Sequence, residues 1–239
     1  LSPMRDGRRR GLRRRAPSRH DQTKLYLPDV TRAIVRRENA LPGGFQFSKP
    51  DVDARTRGTV IHAWFECLEW LNDEAMPDDQ TLLRQAERLS VPASVASRLL
   101  PDFLRMLTHP ETRKVFDPRA GGGSPVFQPH ASLIASGDAT LRVERERPFV
   151  LLQDGELVQG TIDRLVLLSH HGKLLAADIV DFKTDRFTGS RAAWIAARQA
   201  HYTPQLHEYR NALTHCFGLS GTQISARLLM LEADAVIDC

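Results

Sequence analysis

Apolar side chains recur at helical spacing in the first half of the chain and at strand spacing in much of the second half. Between about residues 56 and 72 they recur every three or four positions, which predicts a helix with one buried face. The residues on that face are Ile61, Trp64, Phe65, Leu68 and Leu71. Similar spacing predicts helices at 80–89 and 92–107, the second with Pro92 at an early helical position.

Three apolar runs rich in β-branched residues follow at 141–152, 157–168 and 174–183, and they predict three strands. The segments that separate them, 153–156 and 169–173, place glycine among polar residues, which is typical of hairpin turns. The three strands are therefore expected to form an antiparallel meander.

Helical spacing returns at 190–199 and 203–216, and a last strand is predicted at 223–231. Three strands, a pair of helices and a further strand predict an α/β fold in which helices flank a mixed sheet.

A glycine-rich stretch at 121–125 predicts a loop within one domain, residues 25–239, rather than a boundary between two domains. The loop separates an N-terminal helical part, 56–120, from an α/β core, 125–231. Prolines and glycines break up the apolar groups of 25–56, which predicts irregular structure that wraps the core.

The net charge of +4 comes from the N-terminal end of the chain. Residues 1–20 contain eight arginines and one acidic residue, a net charge of +7, whereas the rest contains 25 basic and 28 acidic residues, a net charge of −3. We expect residues 1–24 to be a disordered tail or linker, because they lack an apolar period. Such a run either contacts phosphates or is a solvated linker, and composition favours neither.

The composition also excludes several classes of protein. With 41% hydrophobic and 26% charged residues the chain is of the soluble globular type, and no apolar run approaches the ~18 residues needed to cross a membrane. Cys67, Cys216 and Cys239 form no CxxC pair and are too few for a four-thiolate site, which favours a reducing, cytoplasmic setting. The start at Leu1, with no secretory signal, indicates a fragment of a longer polypeptide or a residue added by cloning.

The segment Asp-Ile-Val-Asp-Phe-Lys-Thr-Asp at 178–185 carries the sharpest chemical signal. Alternate residues of a strand share a face, so Asp181 and Lys183 are expected to project together. Asp163 interrupts the preceding apolar strand, and antiparallel pairing would bring it opposite Asp181. A lone Asp–Lys pair is most often a structural ion pair at a solvated strand end. A second carboxylate beside it favours a bound cation, because like charges repel.

Two predicted helices supply further candidate residues. His62 lies on the first helix, although a lone helical histidine is more often a packed or surface residue. Tyr202, Gln205 and Tyr209 are spaced i, i+3 and i+7, which places them on one face of a helix. This stripe alone is equally typical of helix packing.

Four short motifs follow one another along the chain: GxxxH ending at His62, GxxD ending at Asp163, DFKT at 181–184 and YxxQxxxY at 202–209. Their order over residues 56–231 resembles the RecB-type branch of the PD-(D/E)XK nucleases, found at the C-termini of UvrD/Rep-like helicases, as in AddA/RecB-like helicase–nucleases. The segment Glu146-Arg-Pro-Phe also resembles the family's acid-x-Pro-Phe segment. The resemblance implies a restriction-endonuclease-like sheet with an N-terminal helical region.

The resemblance further implies a metal site. His62, Asp163 and Asp181 would bind the ion, and the backbone carbonyl of Phe182 would add another oxygen ligand. This mixture of imidazole and oxygen ligands suits Mg²⁺ or Mn²⁺. The ion would acidify a bound water and neutralise charge at the phosphate.

Catalytic roles beyond the metal ligands are implied as well. Lys183 would orient or activate the attacking water and stabilise charge at the phosphate. Gln205 and Tyr209 would brace the lysine or contact the DNA backbone, with Tyr202 as an accessory residue. Glu146 is a second accessory candidate.

The implied function is a Mg²⁺- or Mn²⁺-dependent, exonuclease-like deoxyribonuclease, the nuclease module of a helicase–nuclease in double-strand-break repair and recombination. No Walker A pattern occurs, so a UvrD/Rep-like motor is expected elsewhere in the full-length chain or complex. The iron–sulfur cluster of several relatives is not expected, because it needs four cysteines. Two alternatives stay open: an inactive nuclease-like module that binds DNA or protein, and an unrelated α/β domain in which Asp163 and Asp181 lie far apart.

Overall fold

The computed structural model describes residues 13–16, 52–71, 76–153, 155–187 and 189–239. Most of the predicted tail, 1–24, and of the predicted irregular segment, 25–56, lies outside the described residues. Within the tail, Arg13–Arg15 form a short strand. The prediction of disorder is wrong for these three residues, because their backbone pairs with a strand of the core.

Six α-helices lie along the described residues: α1 (Ala54–Phe65), α2 (Asp79–Arg88), α3 (Ala93–Thr108), α4 (Pro110–Val115), α5 (Ala131–Ser136) and α6 (Arg191–Phe217). Aspartate side chains cap the first two, because Asp53 and Asp78 accept hydrogen bonds from otherwise unpaired amides of the first turn. None of the helices in the described ranges is both long and apolar enough to cross a membrane.

A mixed sheet forms the centre of the fold. Its strands in the described residues are β1 (Arg13–Arg15), β2 (Ala139–Gln153), β3 (Glu156–His170), β4 (Lys173–Lys183), β5 (Ile224–Met230) and β6 (Ala235–Asp238). Strands β2, β3 and β4 form the predicted antiparallel meander, and β5 pairs parallel to β4. The predicted α/β fold, a mixed sheet flanked by helices, is confirmed. Strand β6, which pairs with β5, was not predicted.

The pair of helices predicted at 190–199 and 203–216 is a single helix, α6, with Pro204 inside it. Proline normally interrupts a helix because it lacks an amide hydrogen. Here buried side chains before and after the proline, including Trp194 and Leu206, hold both halves against the sheet. Packing therefore outweighs the local preference of the proline.

The glycine-rich stretch predicted as a loop spans the end of one 3-10 segment, Pro118–Gly123, and the start of another, Pro125–His130, with Ser124 between them and a non-helical kink at Gly121 and Gly122. Gly122 has a positive φ of 67°. A Cβ atom at this position would lie 2.8 Å from the Val115 carbonyl oxygen, so only glycine allows this close packing.

Hydrophobic clusters cover both faces of the sheet. Ile179 and its neighbours on one face pack against α6. Val180 and Phe182, on the opposite face, pack against the helical part formed by α1 to α4. Because alternate residues of β4 enter different clusters, the strand is fixed between two layers of helices.

Candidate active site

The edge of β3 that faces β4 is shared by two strands. Strand β4 pairs with β3 over residues 164–170, and β1 pairs with residues 156–158. Among the described residues, no strand pairs with this edge between 159 and 163. A cavity of about 520 Å³ opens at the gap. Its lining comprises Ala16, His62, Pro148, Phe149, Val150, Gln159, Gly160, Thr161, Asp163, Asp181, Lys183, Gln205 and Tyr209.

Asp163 lies where β3 and β4 separate. The register, with Arg164 opposite Val180, places Asp163 opposite Asp181. Its Oδ2 atom accepts a hydrogen bond of 2.8 Å from the backbone amide of Phe182. In a regular pair of strands a backbone carbonyl would accept such a bond, and here the Asp163 side chain accepts it instead. Burial, and then the negative charge of Asp181, raise the pKa of Asp163 well above its usual value.

Asp181 and Lys183 project from the same face of β4 into the cavity. The Asp181 side chain is buried, and the Lys183 ammonium lies 2.5 Å from its Oδ2 atom. Burial alone would lower the pKa of Lys183, but Asp181 and Asp163 outweigh this effect and raise it. Lys183 is therefore a cation at neutral pH.

Helix α6 holds the Asp181–Lys183 pair through Gln205. The Gln205 amide nitrogen lies 3.1 Å from Asp181 Oδ1 and 2.6 Å from the Tyr209 hydroxyl oxygen. The amide oxygen lies 3.5 Å from Lys183 Nζ. Burial, and then Asp181, raise the pKa of Tyr209, which keeps its hydroxyl protonated. Gln205 thus contacts Asp181, Lys183 and Tyr209 together.

His62 reaches the cavity from α1. Its Nδ1 atom lies 3.6 Å from Asp163 Oδ2, and its ring meets Phe182 edge-on at 6.1 Å between centroids. Burial lowers the pKa of His62, although the charge of Asp181 opposes the shift. The neutral imidazole, which is the form that binds metals, is therefore favoured.

Gly58, the first residue of GxxxH, has a steric role in placing His62. A Cβ atom there would lie 3.1 Å from the Thr184 hydroxyl oxygen. Arg57 donates a hydrogen bond to the Thr184 carbonyl at 3.4 Å. Glycine therefore lets α1 approach the residue that follows Lys183.

The side chains in the cavity fit a divalent metal in donor chemistry, though not as a preformed cluster. One imidazole and two carboxylates face the cavity, and Asp181 Oδ2 is buried without a hydrogen bond, contacting the Lys183 ammonium instead. Within the described residues, no three His, Cys, Asp or Glu side chains are grouped closely enough to hold an ion. Asp181 contacts the Lys183 ammonium, and Asp163 accepts a hydrogen bond from the Phe182 amide. The two carboxylate side chains must therefore rotate before both can bind one ion.

Glu146 lies outside the residues that line the cavity. The β2–β3 register places it opposite Asp163, at a point where the pairing is interrupted and Glu146 has a positive φ of 48°. Burial, followed by the charges of Glu66 and Asp181, raises the pKa of Glu146 to about 7. It is an acid near the site rather than a residue in contact with the cavity.

Sequence reasoning missed Asp185 and Arg198. The hydroxyl of Tyr202 donates to Asp185 at 3.0 Å, Arg198 pairs with the same carboxylate at 2.8 Å, and the Tyr202 ring lies 4.4 Å from Lys183 Nζ. Asp185 thus orients the ring that packs against the lysine. The available signal was the spacing of Arg198 and Tyr202, which at i and i+4 share a helix face.

The structure is an α/β domain in which two acidic side chains and a lysine face one cavity. The model of the PD-(D/E)XK nuclease superfamily matches residues 31–236, most of the chain. This chain belongs to the PD-(D/E)XK nuclease superfamily. No curated protein sequence gives a significant match to the chain.

Proposed function

We propose that this protein is a Mg²⁺- or Mn²⁺-dependent DNA nuclease whose active site comprises His62, Asp163, Asp181, Lys183 and Gln205. One observation carries the proposal: two acidic side chains on neighbouring strands face one cavity beside a lysine ammonium. Two carboxylates in a largely buried cavity repel each other, and a bound cation relieves that repulsion. Superfamily membership supports hydrolysis of a phosphodiester bond.

The metal would be held by His62, Asp163 and Asp181, with the backbone carbonyl of Phe182 as a further oxygen ligand. Nitrogen and oxygen donors of this kind suit Mg²⁺ or Mn²⁺. When bound, such an ion supplies Lewis-acid chemistry, which stabilises negative charge on the phosphate and makes water more acidic.

Lys183 contributes a fixed positive charge at the phosphate. Because its pKa is raised, it donates hydrogen bonds to the attacking water or to a phosphate oxygen and does not act as a base. Gln205 fixes its direction from one side and the Tyr202 ring from another. Tyr209, held by Gln205, has a protonated hydroxyl that is suited to a phosphate oxygen. Glu146 remains an accessory acid.

We further propose that the domain is the nuclease module of a helicase–nuclease that acts in double-strand-break repair and recombination in the cytoplasm. The order of the four motifs, including YxxQxxxY on α6, supports this assignment. A UvrD/Rep-like motor would act in the same full-length chain or in a partner subunit. Exonuclease-like cutting predicts that linear single-stranded DNA is degraded and closed circular single-stranded DNA is spared.

The central test is cleavage of labelled single- and double-stranded DNA with Mg²⁺ or Mn²⁺. Asp181→Asn and Lys183→Met are expected to lower cleavage more than about a hundredfold, which corresponds to the several kcal/mol of transition-state stabilisation supplied by such groups. Asp102→Asn, on the exposed surface of α3, is the matched control. Circular dichroism checks that each variant is folded.

A catalytically inactive module is the alternative outcome of the same test. Calorimetric titration with Mn²⁺ separates the two cases, since an active site should bind the ion and lose binding in Asp163→Ala. A wild-type protein that neither cleaves DNA nor binds Mn²⁺ would contradict the proposed function.

A further inference from the structure

The N-terminal strand β1 forms one wall of the candidate active site. It pairs parallel to β3, with Arg13 opposite Glu156 and Arg15 opposite Val158. The residue that follows, Ala16, lines the cavity beside Gln159 and Gly160. The C-terminal ends of β1 and β4 therefore approach the gap in the β3 edge from opposite directions.

An ion pair fastens β1 to the helix that carries the catalytic candidates. Arg15 lies 2.6 Å from the Glu208 carboxylate, and Glu208 is next to Tyr209 on α6. The Glu208 side chain is 13% exposed, whereas that of Arg15 is 42% exposed. Arg15 thus neutralises a largely buried acid, and its own side chain stays partly exposed next to Ala16, which lines the cavity.

The charge of the cavity needs such a contribution if DNA is to enter. Asp163 and Asp181 both face the cavity, and Glu208 is the sequence neighbour of the lining residue Tyr209. Lys183 is already paired with Asp181. A DNA strand brings about one negative charge per nucleotide, and proteins hold it mainly through arginine and lysine contacts to phosphates. The sequence of β1 is three consecutive arginines, the last of which, Arg15, directly precedes the cavity-lining residue Ala16.

We infer that residues 13–16 are a docked DNA-binding strand, which guides the phosphates of the DNA strand into the catalytic cavity, rather than part of a solvated tail. This inference rests on the proposed function for the identity of the ligand. Docking is a backbone interaction with β3 and is fixed by the Arg15–Glu208 pair, while the arginines supply the charge. The segment then acts at a defined place along the DNA path.

The charge of β1 is tested by DNA binding in EDTA, where metal-dependent cleavage does not interfere. Fluorescence anisotropy with a labelled single-stranded oligonucleotide is measured between 50 and 200 mM KCl for the variant with Arg13, Arg14 and Arg15 replaced by glutamine. The slope of log K against log salt concentration should become shallower by up to about 2, since each lost contact to a single strand removes about 0.7. In the matched control, glutamine replaces three exposed arginines on α2 and α4, namely Arg84, Arg88 and Arg113.

Docking is tested by a second pair of variants with equal loss of charge. Successive amides of a strand point to opposite edges, so two adjacent prolines at 13 and 14 remove whichever amide faces β3. Two alanines at the same positions keep both amides. The proline variant should bind DNA more weakly than the alanine variant. It should also show faster hydrogen exchange at residues 156–158.

The outcomes separate this inference from the proposed function. If the glutamine variant and its control bind DNA alike, or the proline and alanine variants bind alike, the inference is wrong, even though the wild type cleaves DNA. If the proline variant binds DNA as well as the wild type and cleaves it faster, β1 covers the cavity and the inference is also wrong. A wild type that neither binds nor cleaves DNA overturns the proposed function itself.

Discussion

The carboxylate of Asp163 accepts a hydrogen bond from the backbone amide of Phe182, the residue between Asp181 and Lys183. This bond attaches β3 to β4 at the point where their regular pairing ends. Asp163, Asp181 and Lys183 therefore line a cavity on one face of the two strands. The phenyl ring of Phe182 packs into the core on the other face. The same carboxylate serves the fold and, in the proposed function, the metal.

We predict that Asp163→Asn abolishes cleavage and stabilises the metal-free protein at neutral pH. The amide oxygen still accepts from Phe182, but the repulsion from Asp181 is lost. Cleavage should fall at least about a hundredfold, because the proposed charged metal ligand is removed. In EDTA at pH 7, the midpoint of urea unfolding should rise. A lower midpoint would show that ionised Asp163 is a net stabilising group.

A second prediction concerns the pH dependence of stability through Glu146, whose pKa is raised to about 7. The folded state binds the proton more tightly than the unfolded state, so this stabilising contribution is present below about pH 4.5. It is lost as the pH rises to about 7. Glu146→Gln should therefore gain stability relative to the wild type at pH 8 and little at pH 5.

Urea unfolding in EDTA at the two pH values measures this difference. Glu87→Gln, which changes an exposed acid on α2, is the control for a general effect of net charge. An equal change in unfolding free energy at pH 5 and pH 8 would show that Glu146 titrates normally.

The strand part of the site could be predicted from sequence because short hairpin turns fix the register of paired strands. Once β3 and β4 were recognised, Asp163 had to lie near Asp181, and the observed register places them opposite each other. The position of His62 could not be obtained in this way. It depends on how α1 docks on the sheet, which periodicity does not encode, and the family resemblance supplied it.

Three features escaped prediction for physical reasons. Strand β1 pairs through backbone groups, and a run of arginines carries none of the alternation that reveals a strand. Helix α6 continues through Pro204 because tertiary packing outweighs local propensity. Asp185 was missed because it lies beyond the end of β4. The path of a loop therefore decides that it contacts Tyr202, and strand periodicity does not reveal that path.

A third prediction concerns this Asp185–Tyr202 contact. Asp185→Asn weakens the charge-assisted hydrogen bond from Tyr202 and the pair with Arg198, so the ring beside Lys183 is less firmly placed. We expect kcat to fall roughly tenfold, because small displacements of catalytic groups are costly. Tyr202→Phe, which keeps the ring and removes the hydroxyl, should cause a similar loss.

The double variant identifies the mechanism. If Asp185 acts through Tyr202, combining the two changes should lower kcat little more than either change alone. Fully additive losses would mean that Asp185 acts independently, through Arg198 or by direct contact with DNA. A KM that rises while kcat stays constant would likewise point to DNA contact.

The last prediction concerns the close approach of α1 to the end of β4. In Gly58→Ala the new methyl group would lie 3.1 Å from the Thr184 hydroxyl oxygen, so α1 or the loop after Lys183 must shift. His62 lies one helical turn further along α1 and should move with it. Cleavage is expected to fall about tenfold or more. Alanine's higher helix propensity, worth about 1 kcal/mol, should offset most of the loss of stability.

Adding Thr184→Ala removes the opposing hydroxyl and should restore activity, measured as kcat under saturating metal. If the double variant is as slow as Gly58→Ala, the glycine is needed for a reason other than contact with Thr184.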